Sequence, residues 1–211
     1  MERPAGSKTA RASAMGDRGG AVVQIIFLNG TSSAGKTTVA RALQGELAAV
    51  WLHVTLDAIF GLMPAKVFVN PQWGDQMDWD RVLDGFHRMV AALPRTGYPV
   101  ILDHVCTSRR WRDQCVRLFA PWRVLYVGVT CAPDVLERRE RGRGDRKLGI
   151  AAEHAQTYAA AGPFDVEVDT SRLTAEQCAG KIVAAAEAWT APAAFDRIRA
   201  EMDADAGGDG G

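Results

Sequence analysis

The chain has 211 residues, with 25 basic and 25 acidic side chains and 47 % hydrophobic content, enough to bury one sizeable core. Its formal charge of zero leaves no basic surplus to draw it to nucleic acid or to an anionic membrane surface, and no stretch approaches the roughly 18 apolar residues of a membrane span. Cys106, Cys115, Cys131 and Cys178 show neither a C-x-x-C pair nor metal-ligand spacing, which predicts reduced thiols in a cytoplasmic protein and argues against zinc and disulfides.

Residues 1–20 are rich in Gly, Ala, Ser and Arg and lack the apolar centre of a signal peptide, so they read as a disordered leader, with Met15 as an alternative start. Residues 22–28 form an apolar, β-branched run of the kind that makes a strand buried on both faces, closed by Asn29. Next come Gly30, Thr31, Ser32, Ser33, Ala34, Gly35, Lys36 and Thr37, a full match to the phosphate-binding pattern G-x-x-x-x-G-K-S/T. The glycines let the backbone curl so that successive N–H groups point inward, and the following helix adds its positive end. Lys36 is then placed to reach the β- and γ-phosphates of a nucleoside triphosphate, and Thr37 to offer a hydroxyl to Mg²⁺. Thr38 continues the motif into a helix over residues 38–50.

A short strand follows at residues 52–56, ending at Asp57, and then an irregular stretch over 61–78 with Pro64, Pro71, Gly61 and Gly74. From Trp79 helical spacing resumes, with Val82, Leu83, Phe86 and Val90 on one stripe, ended by Pro94 and Gly97. A strand over 98–102 ends in Asp103. A helix over 108–119 turns Trp111, Cys115, Leu118 and Phe119 inward, and 123–129 reads as another buried strand. Helices at 133–141 and 150–160, a strand at 166–168 and a helix at 175–189 complete the alternation. Strand and helix alternating in this way predict a three-layer α/β fold of the P-loop NTPase kind, with a mostly parallel five-stranded sheet and helices on both faces. The expected domain spans 21–190, with a lid at about 138–149 and an acceptor cap at about 60–80. A C-terminal helix over 191–202, carrying Phe195, Ile198 and Met202, and a disordered tail over 203–211 follow.

Phosphoryl transfer to an alcohol needs a phosphate cradle, a metal, cations for the transferring charge, and a proton acceptor. Ligands of such folds bind at the carboxyl ends of the strands, where Asp57 and Asp103 both fall. Asp103 reads as a metal-side carboxylate, with an N-cap or substrate-orienting role as alternatives. Asp57 reads as the base, with the cap of a helix beginning at Ala58 as its alternative. Between 138 and 147 six of ten residues are basic and two are glycine. That run is either a solvated helix end or a lid that brings Arg139, Arg143 and Arg146 onto the phosphates. Phe60, Met63, Trp73 and Trp79 lie in the aperiodic stretch and suggest a cap over an apolar acceptor. Lys66 is the only basic residue there, which favours a neutral small-molecule alcohol. The histidines show no metal spacing, and His104, beside Asp103, reads as structural, with a place facing the pocket as its alternative.

With these residues placed, the chain resembles the chloramphenicol phosphotransferase family of small P-loop kinases. The likeness rests on the segment from Ile26 through Thr37, on Asp57 with Met63 and Pro64 after it, on Arg143-Gly-Asp-Arg146, on residues 126–131 and on residues 165–170. It implies ATP-dependent phosphorylation of a hydroxyl, with Asp57 as base and Arg139, Arg143 and Arg146 in a lid. A place such as Thr170, where the last strand meets the last helix, is one from which kinases of this kind touch the nucleotide. An antibiotic or related secondary metabolite is the expected acceptor. The competing readings are a metabolic kinase for a sugar, a nucleoside or adenylyl sulfate, and a nucleotide-binding regulatory ATPase.

Overall fold

The computed structural model describes residues 23–143 and 161–208. Five strands, β1 Ile25–Gly30, β2 Leu52–Thr55, β3 Val100–His104, β4 Val124–Thr130 and β5 Val166–Asp169, form one sheet in the order β2-β3-β1-β4-β5. Every pairing is parallel, so the sheet is wholly rather than mostly parallel. Such a sheet must be covered on both faces, which explains why β1 and β3 begin as apolar runs and are buried at every residue.

Alternation along β1 divides the core. Ile26 and Leu28 face a cluster completed by Val39 and Leu43 of helix α1 (Lys36–Glu46) and by Ile182 of helix α8 (Ala175–Glu187). Ile25 and Phe27 face the opposite cluster, with Phe86 and Val90 of helix α5 (Trp79–Ala92), Cys115 and Val116 of helix α6 (Arg109–Leu118), and Phe195 and Ile198 of helix α9 (Ala194–Gly208). Burying each of these large side chains contributes about 1.5–3 kcal/mol. The ring of Phe27 meets Tyr126, Phe119 and Phe195 at 5.1 to 6.2 Å, which anchors α9 to the sheet.

Helix starts follow side-chain chemistry. Asp78 accepts the N–H of Arg81 to cap α5, Ser108 accepts that of Trp111 to cap α6, and Thr174 with Gln177 forms a capping box for α8. Several expectations shift. The strand expected over 52–56 ends at Thr55, whose side chain caps the short helix α2 (Leu56–Phe60). The stretch expected to be irregular holds two single-turn helices, α3 (Lys66–Val69) and α4 (Pro71–Gly74), the second started by Asn70 as cap and Pro71 at its first position. The helix expected to stop at Arg141 continues through Gly142 as α7 (Pro133–Arg143). The tail expected to be disordered from 203 is helical to Gly208, continuing a helix whose Phe195 and Ile198 are anchored in the core. The leader, the expected helix over 150–160 and Arg146 lie outside the described residues.

Candidate active site

The carboxyl ends of β1, β2 and β3 open into a cavity of about 1300 Å³. At its floor the phosphate loop leaves β1 at Gly30, where a Cβ would stand 2.3 Å from the backbone oxygen of Val129, so only glycine fits against β4. The loop turns through Ser33 at φ 62° and Gly35 at φ 88°, and Gly35 leads into α1 without any side-chain cap or first-turn acid. The N–H groups of that turn are thereby left for an anion. Lys36, only 6 % exposed, folds over the loop and donates from Nζ to the Thr31 oxygen at 2.7 Å. Ser32, Ser33, Gly35, Lys36, Thr37 and Thr38 line the cavity, whereas Gly30, Thr31 and Ala34 hold the loop from behind.

Thr37 Oγ1 donates to Asp103 Oδ2 at 2.5 Å, which joins the first turn of α1 to the end of β3. Burial opposes ionisation of Asp103, but neighbouring His53, the charge of Lys36 and the Thr37 hydroxyl outweigh it and hold the carboxyl below its ordinary range. His53 Nε2 stands 3.8 Å from Asp103 Oδ2, beyond hydrogen-bond length. Thr37 and Asp103 offer two hard oxygens beside the phosphate cradle. Among the described residues no group of three or more His, Cys, Asp or Glu side chains is placed to hold a metal. A pair of this kind suits Mg²⁺, which keeps waters and substrate phosphates as its other ligands.

Asp57 lines the cavity from the first turn of α2 and is exposed. The capping alternative is removed for it: Thr55 Oγ1 accepts the Asp57 N–H at 3.3 Å, so the cap belongs to Thr55. Asp103 likewise belongs to β3 and caps nothing.

Arg139 of α7 turns to the loop. Its guanidinium donates to Thr170 Oγ1 at 3.0 Å and to the Thr170 oxygen at 2.9 Å, and it passes 3.4 Å from where a Gly35 Cβ would lie. Thr170 Oγ1 in turn donates to the Ala34 oxygen at 2.7 Å. Arg139 and Thr170 therefore brace the loop and line the cavity together. Arg138 pairs with Asp134 and Arg141 with Glu137, as on an ordinary helix surface. Arg143 ends α7.

Of the expected cap residues, Phe60 and Trp79 line the cavity and stand edge to face at 6.0 Å. Met63 and Trp73 do not line it: the chain turns outward after α2, and the Trp73 ring is covered by Lys66 Nζ at 3.5 Å. Leu56, Leu83, Val105, Thr107 and Trp111 line the cavity beside Phe60 and Trp79 instead. Position just beyond Asp103 at the end of β3 is a signal that could have found Val105 and Thr107. Trp111 was visible only as an inward helix position.

His104 faces the layer opposite Asp103, stacked on Phe27 at 6.0 Å. Its Nε2 meets His87 Nε2 at 2.9 Å, His87 Nδ1 meets Gln114 Oε1 at 2.7 Å, and Gln114 is held by Asp84. Burial drives His104 down to about 3, aided by the nearby His87, and lowers His87 as well. Both rings are thus neutral and structural.

A phosphate loop at the end of β1, a carboxylate at the end of the adjacent β3 and an all-parallel five-stranded sheet define a P-loop NTPase fold with the architecture of the small kinases. The profile of the chloramphenicol phosphotransferase-like proteins matches residues 23–187, and the chain belongs to that family of phosphotransferases. A protein of Mycobacterium tuberculosis strain H37Rv, provisionally named an O-phosphotransferase, is 30 % identical over 197 residues, covering 83 % of this chain and 88 % of its own. In fold the chain is similar to the APS kinase of Mycobacterium tuberculosis solved with AMPPNP and APS (TM-score 0.55, 15 % identity, 79 % of this chain and 98 % of that one). It is also similar to the shikimate kinase of Acinetobacter baumannii solved with shikimate (TM-score 0.53, 17 % identity, 76 % and 91 %). No helix among the described residues is long and apolar enough to cross a membrane.

Proposed function

We propose that the protein transfers the γ-phosphoryl group of ATP to a hydroxyl of an uncharged, largely apolar small molecule, of the class of antibiotics and related secondary metabolites. The observation that carries this reading is the division of the cavity. Its cations, Lys36, Arg41 and Arg139, lie with the phosphate loop, its helix and α7, whereas the described acceptor wall of Leu56, Phe60, Trp79, Leu83, Val105, Thr107 and Trp111 has none. An anionic acceptor would leave its charge uncompensated against such a wall.

In this mechanism Asp57 accepts the hydroxyl proton as the acceptor oxygen bonds to the γ-phosphorus and the bond to the β–γ bridging oxygen breaks, so that ADP leaves with the electron pair. Lys36 and the open N-terminal turn of α1 stabilise the charge on the phosphates. Arg139 holds the loop in its curled form through Thr170, and Arg143 and Arg146, next in sequence, are assigned to the phosphate oxygens. Thr37 and Asp103 would hold Mg²⁺, which supplies charge neutralisation between the phosphates when bound.

A screen of hydroxylated antibiotics with ATP, read as the mass gain of one phosphoryl group, tests the reading. A phosphorylated uncharged acceptor is expected. Strong preference for a charged metabolite, or ATP hydrolysis without any phosphorylated product, would overturn it.

A further inference from the structure

Beside the apolar half of the cavity, helices α5 and α6 are joined through the carboxylate of Asp80. Asp80, in the first turn of α5, accepts the indole N–H of Trp111 on Oδ1 at 2.9 Å and a guanidinium N–H of Arg110 on Oδ2 at 2.5 Å. Trp111 lines the cavity, and so does Trp79, the residue before Asp80, but Asp80 and Arg110 do not. The carboxylate therefore acts on the cavity from outside, through the ring it holds.

The two bonds differ in weight. The Asp80 and Arg110 side chains are 43 % and 75 % exposed, so their ion pair is screened by water and contributes little. The indole bond is different: Trp111 is half-buried and packs against the apolar cluster that holds Phe86 and Cys115, and the bond adds direction to that packing. A buried indole N–H seeks a partner. The bond to Asp80 fixes the polar edge of the ring on α5 while the residue lines the cavity.

We propose that Asp80 is a positioning residue for acceptor recognition: it locks Trp111 as a flat apolar wall, so that the site selects an uncharged acceptor whose body is an aromatic or apolar ring. This rests on the reading of the cavity as an uncharged acceptor site, and names the part of the molecule that the wall takes.

The test uses 2-phenylethanol as the probe, titrated into ¹⁵N-labelled full-length protein and followed by the tryptophan indole N–H signals, a method suited to weak binding. In the wild type the Trp111 signal should move saturably. Asp80→Ala should weaken probe binding about tenfold or more, the loss expected for a hydrogen bond to a charged group, while ADP binding is unchanged, which shows that the variant is folded. Asp80→Asn retains an acceptor for the indole, and should restore probe binding to within about twofold. Trp111→Phe should weaken binding similarly to Asp80→Ala, and the double variant should be no worse than either alone, because both remove the same bond. Probe binding by Asp80→Ala equal to wild type, or additive losses in the double variant, would overturn the proposal and leave the proposed function standing. A wild type that ignores the probe but phosphorylates a charged metabolite would overturn both.

Discussion

The hydroxyl of Thr37 and the carboxylate of Asp103 share a hydrogen bond of 2.5 Å that ties the phosphate loop's helix to the neighbouring strand. Because β3 lies next to β1, the bond sets two oxygen donors side by side without any loop to adjust between them. Replacing Asp103 by Asn keeps an acceptor for Thr37 but removes the charge. The Mg²⁺ concentration needed for half-maximal ATP binding should rise about 10- to 100-fold, with ADP binding in the absence of metal little changed. Equal Mg²⁺ dependence in the two proteins would remove Asp103 from the metal's surroundings.

Lys36 is the one lysine lining the cavity among the described residues. Lys36→Met preserves the length of the buried stem and deletes the charge. Phosphoryl transfer should fall about 10²- to 10³-fold, the range for losing one preorganised donor to developing charge, with thermal unfolding little affected. A single-turnover assay at saturating ATP separates the chemical loss from weaker binding.

Two glycines should respond in opposite directions. Gly30→Ala would drive a Cβ into the Val129 backbone, and the resulting shift of β1 against β4 should cost about 1–3 kcal/mol. Gly85 is exposed in the middle of α5 with nothing within 4 Å of an added Cβ, so Gly85→Ala should stabilise by about 0.5–1 kcal/mol. Urea unfolding of the two variants against wild type measures both.

Stability should decline on mild acidification through the buried histidines. In the folded state His104 is held at about 3, against an ordinary value of 6.5, by burial and by His87. Between those values the unfolded chain binds the proton and the folded one does not. Stability is therefore full above about pH 6.5 and is lost progressively as pH falls towards 3, by up to about 4 kcal/mol for this group. Asp103, with its carboxyl held low, contributes in the same direction only below the ordinary carboxylate range. Replacing His104 by Phe should flatten the stability profile between pH 6.5 and 4, as read by urea midpoints across that range.

The strands and the loop were legible because their signals are local: an uninterrupted apolar run for β1, and glycines whose spacing has a backbone reason. Asp103 was legible as the end of a strand. Asp57 was not fully so, since Thr55 and Asp57 are both capping residues by type, and only the helix start at Leu56 decides between them. The acceptor wall was the least legible part. Met63 and Trp73 have the right chemistry but follow a chain that turns away, whereas Trp111 has an inward helical position that sequence cannot assign to core or cavity. Arg139 was found as a cation of the site, but its hold on Thr170 depends on two elements separated by 31 residues.

The most direct measurement of the central claim is a single-turnover reaction of ATP with the best uncharged acceptor from the screen, followed by phosphorus NMR, in wild type and in Asp57→Asn. A phosphate monoester of the acceptor is expected in the wild type. The variant should bind ATP normally and form that ester about 10²- to 10⁴-fold more slowly, the range for removing a general base. Near-normal turnover by Asp57→Asn, or inorganic phosphate as the only product of the wild type, would contradict it.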